Sequence, residues 1–279
     1  MILLTGATGF VGSHILEELI KSKLKTKIVV RESSIIKLDN VDLKDVNICF
    51  IDDLFSATDD EIDTILKDVK IIIHSAWYVE HGSYLTSTKN LECLSGTLNL
   101  ARAASRNHIT KFVGLGTCYE YDLSRGVLTI DSPLNPNTLY GAAKVATYYS
   151  LREFFLLEGI SFSWCRLFYL YGPRENPNRL VPSIRNSLTR GIPIKLTTGT
   201  QIRDYINVID AAKMIVKISN SSSEGSFNIS TGKGLSVRKL AETIADEYNR
   251  RDLLRFGERP ENLTEPQTII GVVRPIGQT

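Results

Sequence analysis

The sequence predicts an α/β fold, a doubly wound parallel sheet with a smaller C-terminal lobe. Three observations predict it. Short β-branched apolar runs alternate with longer helical segments through residues 1–168. A glycine-rich turn, Thr5-Gly-Ala-Thr-Gly-Phe-Val-Gly12, joins the first such run to the first helix. From residue 169 onward Pro173, Pro177, Pro182 and Pro193 divide the chain into short pieces, as a smaller and less regular lobe would require.

Nearly continuous apolar runs suit strands buried on both faces of a parallel sheet. They place strands at Ile2–Thr5, Lys27–Arg31, Asn47–Ile51, Lys70–His74, Lys111–Gly116 and Ser161–Leu167. Helices are expected between them at Phe10–Lys23, Asp59–Lys67, Leu85–Asn107 and Thr138–Glu158. In the third of these, Leu91, Leu94, Leu98 and Ala101 recur near a 3.6-residue period, which predicts a face packed on the sheet. Strand–helix alternation of this kind implies right-handed crossovers. The division is a first domain over 1–168 and a lobe over 169–279, with the chain returning to the first domain near 200–220. A later helix is expected at Val237–Arg250.

The 279 residues are 43% hydrophobic and 23% charged, enough apolar surface for a sizeable core. With 33 basic and 31 acidic side chains, the formal charge of +2 gives no reason to expect nucleic acid or an anionic membrane as partner. The balance is uneven along the chain: residues 39–68 carry ten acids against two lysines, and 166–203 seven basic residues against one acid. No apolar run approaches the roughly 18 residues of a membrane span. Cys49, Cys93, Cys118 and Cys165 lie far apart, which reads as free thiols in a reducing, cytoplasmic compartment. The histidines are equally scattered, so no metal site is expected.

Glycines at 6, 9 and 12 permit a tight turn, close backbone approach to a pyrophosphate and close helix–sheet packing. The helix that follows offers unpaired N–H groups from its first turn, including Phe10 and Val11. The spacing is G-x-x-G-x-x-G, and its position at a strand-to-helix junction identifies a dinucleotide-binding, Rossmann-like domain. At the tip of the second strand stand Arg31 and Glu32, then Ser33 and Ser34. An arginine there accommodates a 2′-phosphate, with the serines as extra donors, which favours NADP. If Glu32 instead holds the ribose and Arg31 is a solvated charge, the cofactor is NAD.

Tyr140-Gly-Ala-Ala-Lys144 lies near the start of a helix, so the phenol and the ammonium share one face. A neighbouring cation stabilises a phenolate and fits the tyrosine for acid–base work.

The glycine loop, Asp53-Leu54, His74-Ser-Ala76, Asn90, Gly116-Thr117, Tyr140-x-x-x-Lys144, Tyr171-Gly-Pro173 and Arg203-Asp204 together resemble the extended short-chain dehydrogenases/reductases, the NAD-dependent epimerase/dehydratase group. The resemblance covers about residues 1–235. It implies that Tyr140 is the general acid/base and that Thr117 bonds the reacting sugar oxygen. Lys144 would lower the tyrosine pKa and hold the nicotinamide ribose. Asp53 and Leu54 would contact adenine, and Ala76 would line the cofactor channel. Arg203 would neutralise the diphosphate of a nucleotide-sugar substrate, unless Arg203-Asp204 is a structural ion pair. Tyr169 stands where many relatives carry Asn. Trp77, Cys118, Tyr119, Tyr169 and Arg179 are further candidate substrate contacts; Trp77, Tyr78 and Tyr119 read equally well as core aromatics. The resemblance also implies a homodimer through Leu85–Asn107 and Thr138–Glu158.

Dehydratases of this family place an acid pair just after the catalytic Thr; here those positions hold Cys118 and Tyr119, which disfavours a 4,6-dehydratase. Leu196–Asn207 resembles bacterial 4-keto-6-deoxy sugar reductases of the abequose-synthase type. The expected activity is therefore NADPH-dependent reduction at C4 of a nucleotide-linked 4-keto-6-deoxyhexose, in bacterial surface-polysaccharide sugar synthesis. A nucleotide-sugar 4-epimerase with tightly bound NAD(P) is the alternative. A non-catalytic NADP-sensing regulator is a third reading, against which the intact Thr117, Tyr140 and Lys144 stand. After Gly271 the chain runs to Thr279 without the closing helices of relatives, so the lobe is expected to be short or truncated.

Overall fold

A computed structural model describes residues 1–262 and 266–277. In chain order the first half comprises β1 (Ile2–Thr5), α1 (Phe10–Lys21), β2 (Thr26–Val30), β3 (Val46–Phe50), α2 (Asp59–Leu66), β4 (Ile71–His74), α3 (Lys89–Arg106), β5 (Lys111–Thr117), β6 (Val127–Leu128) and α4 (Leu139–Glu158). The second half continues with β7 (Ser161–Leu167), β8 (Tyr169–Tyr171), α5 (Leu180–Thr189), β9 (Ile194–Leu196), β10 (Ile202–Arg203), β11 (Tyr205–Asn207) and α6 (Val208–Ser219). It closes with β12 (Gly225–Ile229), β13 (Leu235–Ser236), α7 (Val237–Asp246), β14 (Leu254–Phe256) and β15 (Thr268–Gly271).

Seven strands form a parallel sheet in the order β12-β7-β5-β4-β1-β2-β3. The chain builds outward from β1 through β2 to β3, then crosses to β4 on the other side. The topological switch point therefore lies between β1 and β4, and ligands of such sheets bind outside the carboxyl ends there. The apolar strands are covered on both faces. Ile15, Leu16 and Leu19 of α1 with Ala211, Ala212 and Ile215 of α6 close one core. Ile62 and Leu66 of α2, Leu100 and Ala104 of α3 and Leu151 and Phe155 of α4 close the other. Two buried lysines finish helices rather than pair with acids. Lys27 Nζ donates to the carbonyls of Ile65 (3.0 Å) and Lys67 (2.7 Å) at the end of α2. Lys111 Nζ donates to those of Ile218, Ser221 and Ser223 beyond α6. Both use a cation where the helix leaves unpaired carbonyls.

The second lobe has its own core of α5 and α7, with Val181, Ile184, Leu188, Leu240, Ala241, Ile244 and Leu254. A four-stranded sheet, β13-β10-β15-β6, carries β6 from the first half of the chain into this region. The chain returns to the main sheet through α6 and β12, over residues 208–229. Pro182 does not interrupt α5. It occupies the first turn, where its missing N–H has no intrahelical acceptor to lose. Residues 263–265 and 278–279, on which the expected end of the lobe partly falls, lie outside the described residues.

The third helix departs from expectation twice. It begins at Lys89, not Leu85, because the Asn90 side chain donates to the carbonyls of Tyr84 (2.7 Å) and Ser87 (2.8 Å) and holds 84–87 in turns. Its sheet-facing side is Cys93, Gly96, Thr97, Leu100, Ala101 and Ala104. Of the predicted stripe, Leu98 and Ala101 pack with the core, Leu94 is half-buried, and Leu91 turns away, 52% exposed.

Candidate functional site

The glycine loop follows β1 directly at the switch point. Gly6 has φ +69°, and a Cβ there would stand 2.7 Å from the Ala76 nitrogen. A Cβ on Gly12 would collide with the Gly6 carbonyl oxygen. Gly9 caps α1 with extended backbone and no side-chain hydrogen bond, so no capping side chain takes up the first-turn amides. A cradle that admits no side chain, beneath a helix N-terminus, fits a dinucleotide pyrophosphate.

Behind the loop lies a buried relay. Thr97 gives its hydroxyl proton to the Cys93 carbonyl (2.7 Å), so its oxygen accepts from His74 Nε2 (3.0 Å). His74 Nδ1 then accepts from Thr5 Oγ1 (2.9 Å), whose oxygen accepts the Ser75 and Ala76 amides. Burial, with the charge of Lys144 nearby, pushes His74 down to about 3 and keeps it neutral in this tautomer. Ala76 is thereby fixed against Gly6.

At the other end of the cofactor groove, Arg31 is exposed just past β2, whereas Ser34 is 6% exposed and turned inward. Arg31 and Ser33 are the open donors, and Ser34 is the buried one. A cavity of about 840 Å³ beside them is lined by Glu32, Asp52, Asp53, Asp60 and Glu61. The Asp53 carboxylate accepts from the Phe55 amide (3.1 Å) and the Ser56 hydroxyl (3.0 Å), and Leu54 packs on the adjoining core.

Thr117 ends β5 and Tyr140 begins α4, so both reach the same carboxyl edge of the sheet. The Thr117 hydroxyl interacts with the Tyr140 phenol. Burial, reinforced by Tyr84, pushes the Tyr140 pKa well above that of a free phenol. Lys144 donates to the Leu115 carbonyl (2.6 Å), and burial pulls it down to about 7. The Trp77 ring lies 3.6 Å from Lys144 Nζ, and its Nε1 donates to Asn90 Oδ1 (2.8 Å). Trp77 thus supports the lysine, while Tyr78 sits over the surface with its hydroxyl on Glu80 (2.7 Å).

Two side chains not anticipated from sequence stand closest to this set. The Tyr84 ring meets that of Tyr140 edge-on at 5.0 Å, and Arg179, at the N-cap of α5, interacts with its hydroxyl. Glu120, fully buried, accepts the Thr117 amide (2.8 Å), Trp164 Nε1 (3.0 Å) and Arg166 Nε (2.6 Å). The absence of side chains on Gly114 and Gly116 makes room for the indole and the carboxylate. The local sequence carries no signal for the Arg166 pairing, because the β5–β7 register that sets Gly116 opposite Arg166 creates it.

The substrate candidates separate. Cys118 is a core residue, 2% exposed among Tyr121, Leu123, Leu128 and Phe168, with its thiol pushed by burial up to about 12. Tyr119 packs beside that core, and Tyr169 faces the Tyr205 ring at 5.9 Å and the Arg203 guanidinium at 5.4 Å. Arg203 is 2% exposed and donates to the carbonyls of Ile202 (2.9 Å) and Gln267 (3.3 Å). Asp204 accepts instead from the Thr231, Gly232 and Gly271 amides and the Thr231 hydroxyl.

Among the described residues no group of three or more His, Cys, Asp or Glu could hold a metal ion, and no helix is long and apolar enough to cross a membrane. The chain is 27% identical to the CDP-abequose synthase of Salmonella typhimurium, across 85% of this chain and 77% of the relative. It is 25% identical to the UDP-glucose 4-epimerase of Bacillus subtilis, across 92% and 85%. Among solved structures, MoeE5 in complex with UDP-glucose and NAD superposes with a TM-score of 0.80 and 25% identity, covering 98% of this chain and 89% of that one. The NAD dependent epimerase/dehydratase family model matches residues 2–230, and the chain belongs to that family, the extended short-chain dehydrogenases/reductases.

Proposed function

We propose that the protein reduces the C4 keto group of a nucleotide-linked 4-keto-6-deoxyhexose with NADPH. The observation that carries this reading is the state of Tyr140, a phenol held protonated by burial, in interaction with Thr117 and four residues from Lys144. A protonated donor at that place suits delivery of a proton to a carbonyl oxygen. A nicotinamide held above the glycine loop would supply the hydride. Thr117 and Tyr140 bond the sugar oxygen, and Tyr140 gives up its proton as the oxygen gains charge. Lys144 then stabilises the phenolate left behind. Loss of water is disfavoured because the carboxylate that meets Thr117, that of Glu120, is committed to Trp164, Arg166 and a backbone amide. Arg179, partly exposed above Tyr84, is better placed to receive the diphosphate than the enclosed Arg203.

The likeness to CDP-abequose synthase supports this reading. A second reading, 4-epimerisation with retained NAD, is favoured by the likeness to UDP-glucose 4-epimerase and by the carboxylates at the adenosine end, which repel a 2′-phosphate. Incubation with NADPH or NADH and a panel of 4-keto-6-deoxy nucleotide sugars separates the two. NADPH oxidation supports the reductase; interconversion of 4-hydroxy sugars with no net cofactor change overturns it. Arg31→Asp should weaken NADPH binding more than NADH binding, and equal loss removes Arg31 from the 2′-phosphate site. We further propose a cytoplasmic homodimer, since apolar side chains of α3 and α4 are left uncovered.

A further inference from the structure

We propose that Glu120 is a positioning residue for this site, pinning the Thr117 main chain and setting a fixed negative charge behind Tyr140 and Lys144. The inference rests on the reading above only in taking Thr117, Tyr140 and Lys144 as the reacting set.

The geometry is that of a built anion site. Glu120 is 0% exposed, and its two oxygens accept from a backbone amide, an indole and a guanidinium, all within 3.0 Å. Arg166, 1% exposed, is its ion-pair partner and also donates to the Tyr121 hydroxyl (3.2 Å). The Tyr121 hydroxyl donates to Asn228 Oδ1 (2.7 Å), and Asn228 Nδ2 donates to the carbonyls of Leu128 (2.9 Å) and Val272 (3.1 Å). An unbroken chain of hydrogen bonds thus runs from the Thr117 amide to the segments around β6 and β15. Thr117 is tied to the small sheet as well as to its own strand.

The electrostatic role follows from what else faces the pair. Lys144 is faced by Glu120 from the turn after β5, Cys93 from α3, His74 from β4 and the ring of Trp77. Tyr140 is faced by Tyr84, Thr117, Glu120 and Cys118. Burial pushes Cys93, Cys118 and Tyr84 up and His74 down, so these four are uncharged near neutral pH. The carboxylate of Glu120, partnered by Arg166, remains as the anion. It counters the loss of charge that burial imposes on Lys144 and helps keep Tyr140 protonated.

The test is the pH dependence of NADPH and NADH binding, followed by nicotinamide fluorescence in the full chain and its Glu120→Gln and Glu120→Asp variants. If the Lys144 ammonium holds the nicotinamide ribose, affinity falls as that proton is lost at rising pH. Glu120→Gln should move the midpoint about one pH unit lower, a roughly tenfold change in the ionisation constant, whereas Glu120→Asp, which keeps the charge, should leave it in place. A midpoint unmoved in the Gln variant, or moved equally in both, overturns the proposal. Should the Gln variant fail to fold, deuterium uptake at the Thr117 amide of the Asp variant decides. Withdrawal of the carboxylate should raise it about tenfold, and unchanged uptake overturns the pinning role. Neither readout needs a sugar, so failure of every 4-keto substrate would refute the reductase reading while leaving this one intact.

Discussion

Lys144 is the residue at which stability and chemistry oppose each other. It is 5% exposed, with a carbonyl and an aromatic face as its near partners, and burial pulls its pKa from the usual 10.5 to about 7. A depressed lysine pKa means that the unfolded chain binds the proton more tightly than the folded one between those values. The resulting cost to the fold is full below about pH 7 and fades as pH rises toward about 10.5. Lys144→Met should therefore abolish turnover yet raise the melting temperature at neutral pH, with the gain shrinking in alkaline buffer. Calorimetric scans at neutral pH and above pH 9 check it (~pH 9, chosen within that window); a lower melting temperature at neutral pH contradicts it. At this scale the sequence was legible where chemistry is local. Tyr140 and Lys144 share a helical face, and the glycines recur within one loop. It was silent on Glu120 and Arg166, 46 positions apart and joined by strand register, and on Tyr84, which a loop swings onto the Tyr140 phenol.

Among the elements, strands were read more faithfully than helix faces. β1 and β7 run from Ile2 to Thr5 and from Ser161 to Leu167 as expected, since a strand covered on both sides must be apolar throughout. α3 misleads because its sheet-facing side is built of small residues around Leu100, while Leu91 at its start points outward. The segment joining β8 to α5 holds the clearest titration of an element. Burial pushes the Glu175 carboxyl from 4.5 up to about 7, with the Gly172 amide only partly opposing it. Its folded pKa lies above the unfolded one, so the folded state keeps a proton that the unfolded state has released. Stability from this group is complete below about pH 4.5 and is lost as pH rises through about 7. Glu175→Gln should match the parent protein in mildly acidic buffer and exceed it in melting temperature in mildly alkaline buffer. An equal difference at both pH values would mean that Glu175 does not titrate in this window.

For the whole molecule, the charge asymmetry divides between two ends of the carboxyl edge. Part of the acidic stretch 39–68 rims the cavity beside Arg31, and the basic stretch 166–203 supplies Arg166 to the buried anion, Arg174 to Glu17 of α1, and Arg179 to the ring above Tyr140. The opposite end of α4 bears no such chemistry. Leu156 and Leu157 there are 75% and 83% exposed, and Tyr149 of α4 and Leu91 of α3 are 44% and 52% exposed. Adjacent exposed leucines such as Leu156 and Leu157 fit an interface, and a self-complementary face closes most simply about a twofold axis. Light scattering behind size exclusion should give twice the chain's 31.2 kDa. The pair of changes Leu156→Glu and Leu157→Glu should return it to one chain. Leu157 lies 13 residues beyond Lys144 along one helix, about 20 Å at 1.5 Å per residue. The monomeric variant should therefore bind nicotinamide cofactor within about twofold of the parent, the limit set by distant sites acting independently. A parent protein that elutes as a single chain would remove the dimer. A variant that loses cofactor together with its partner would show that the interface, rather than the helix alone, holds Tyr140 and Lys144 in place.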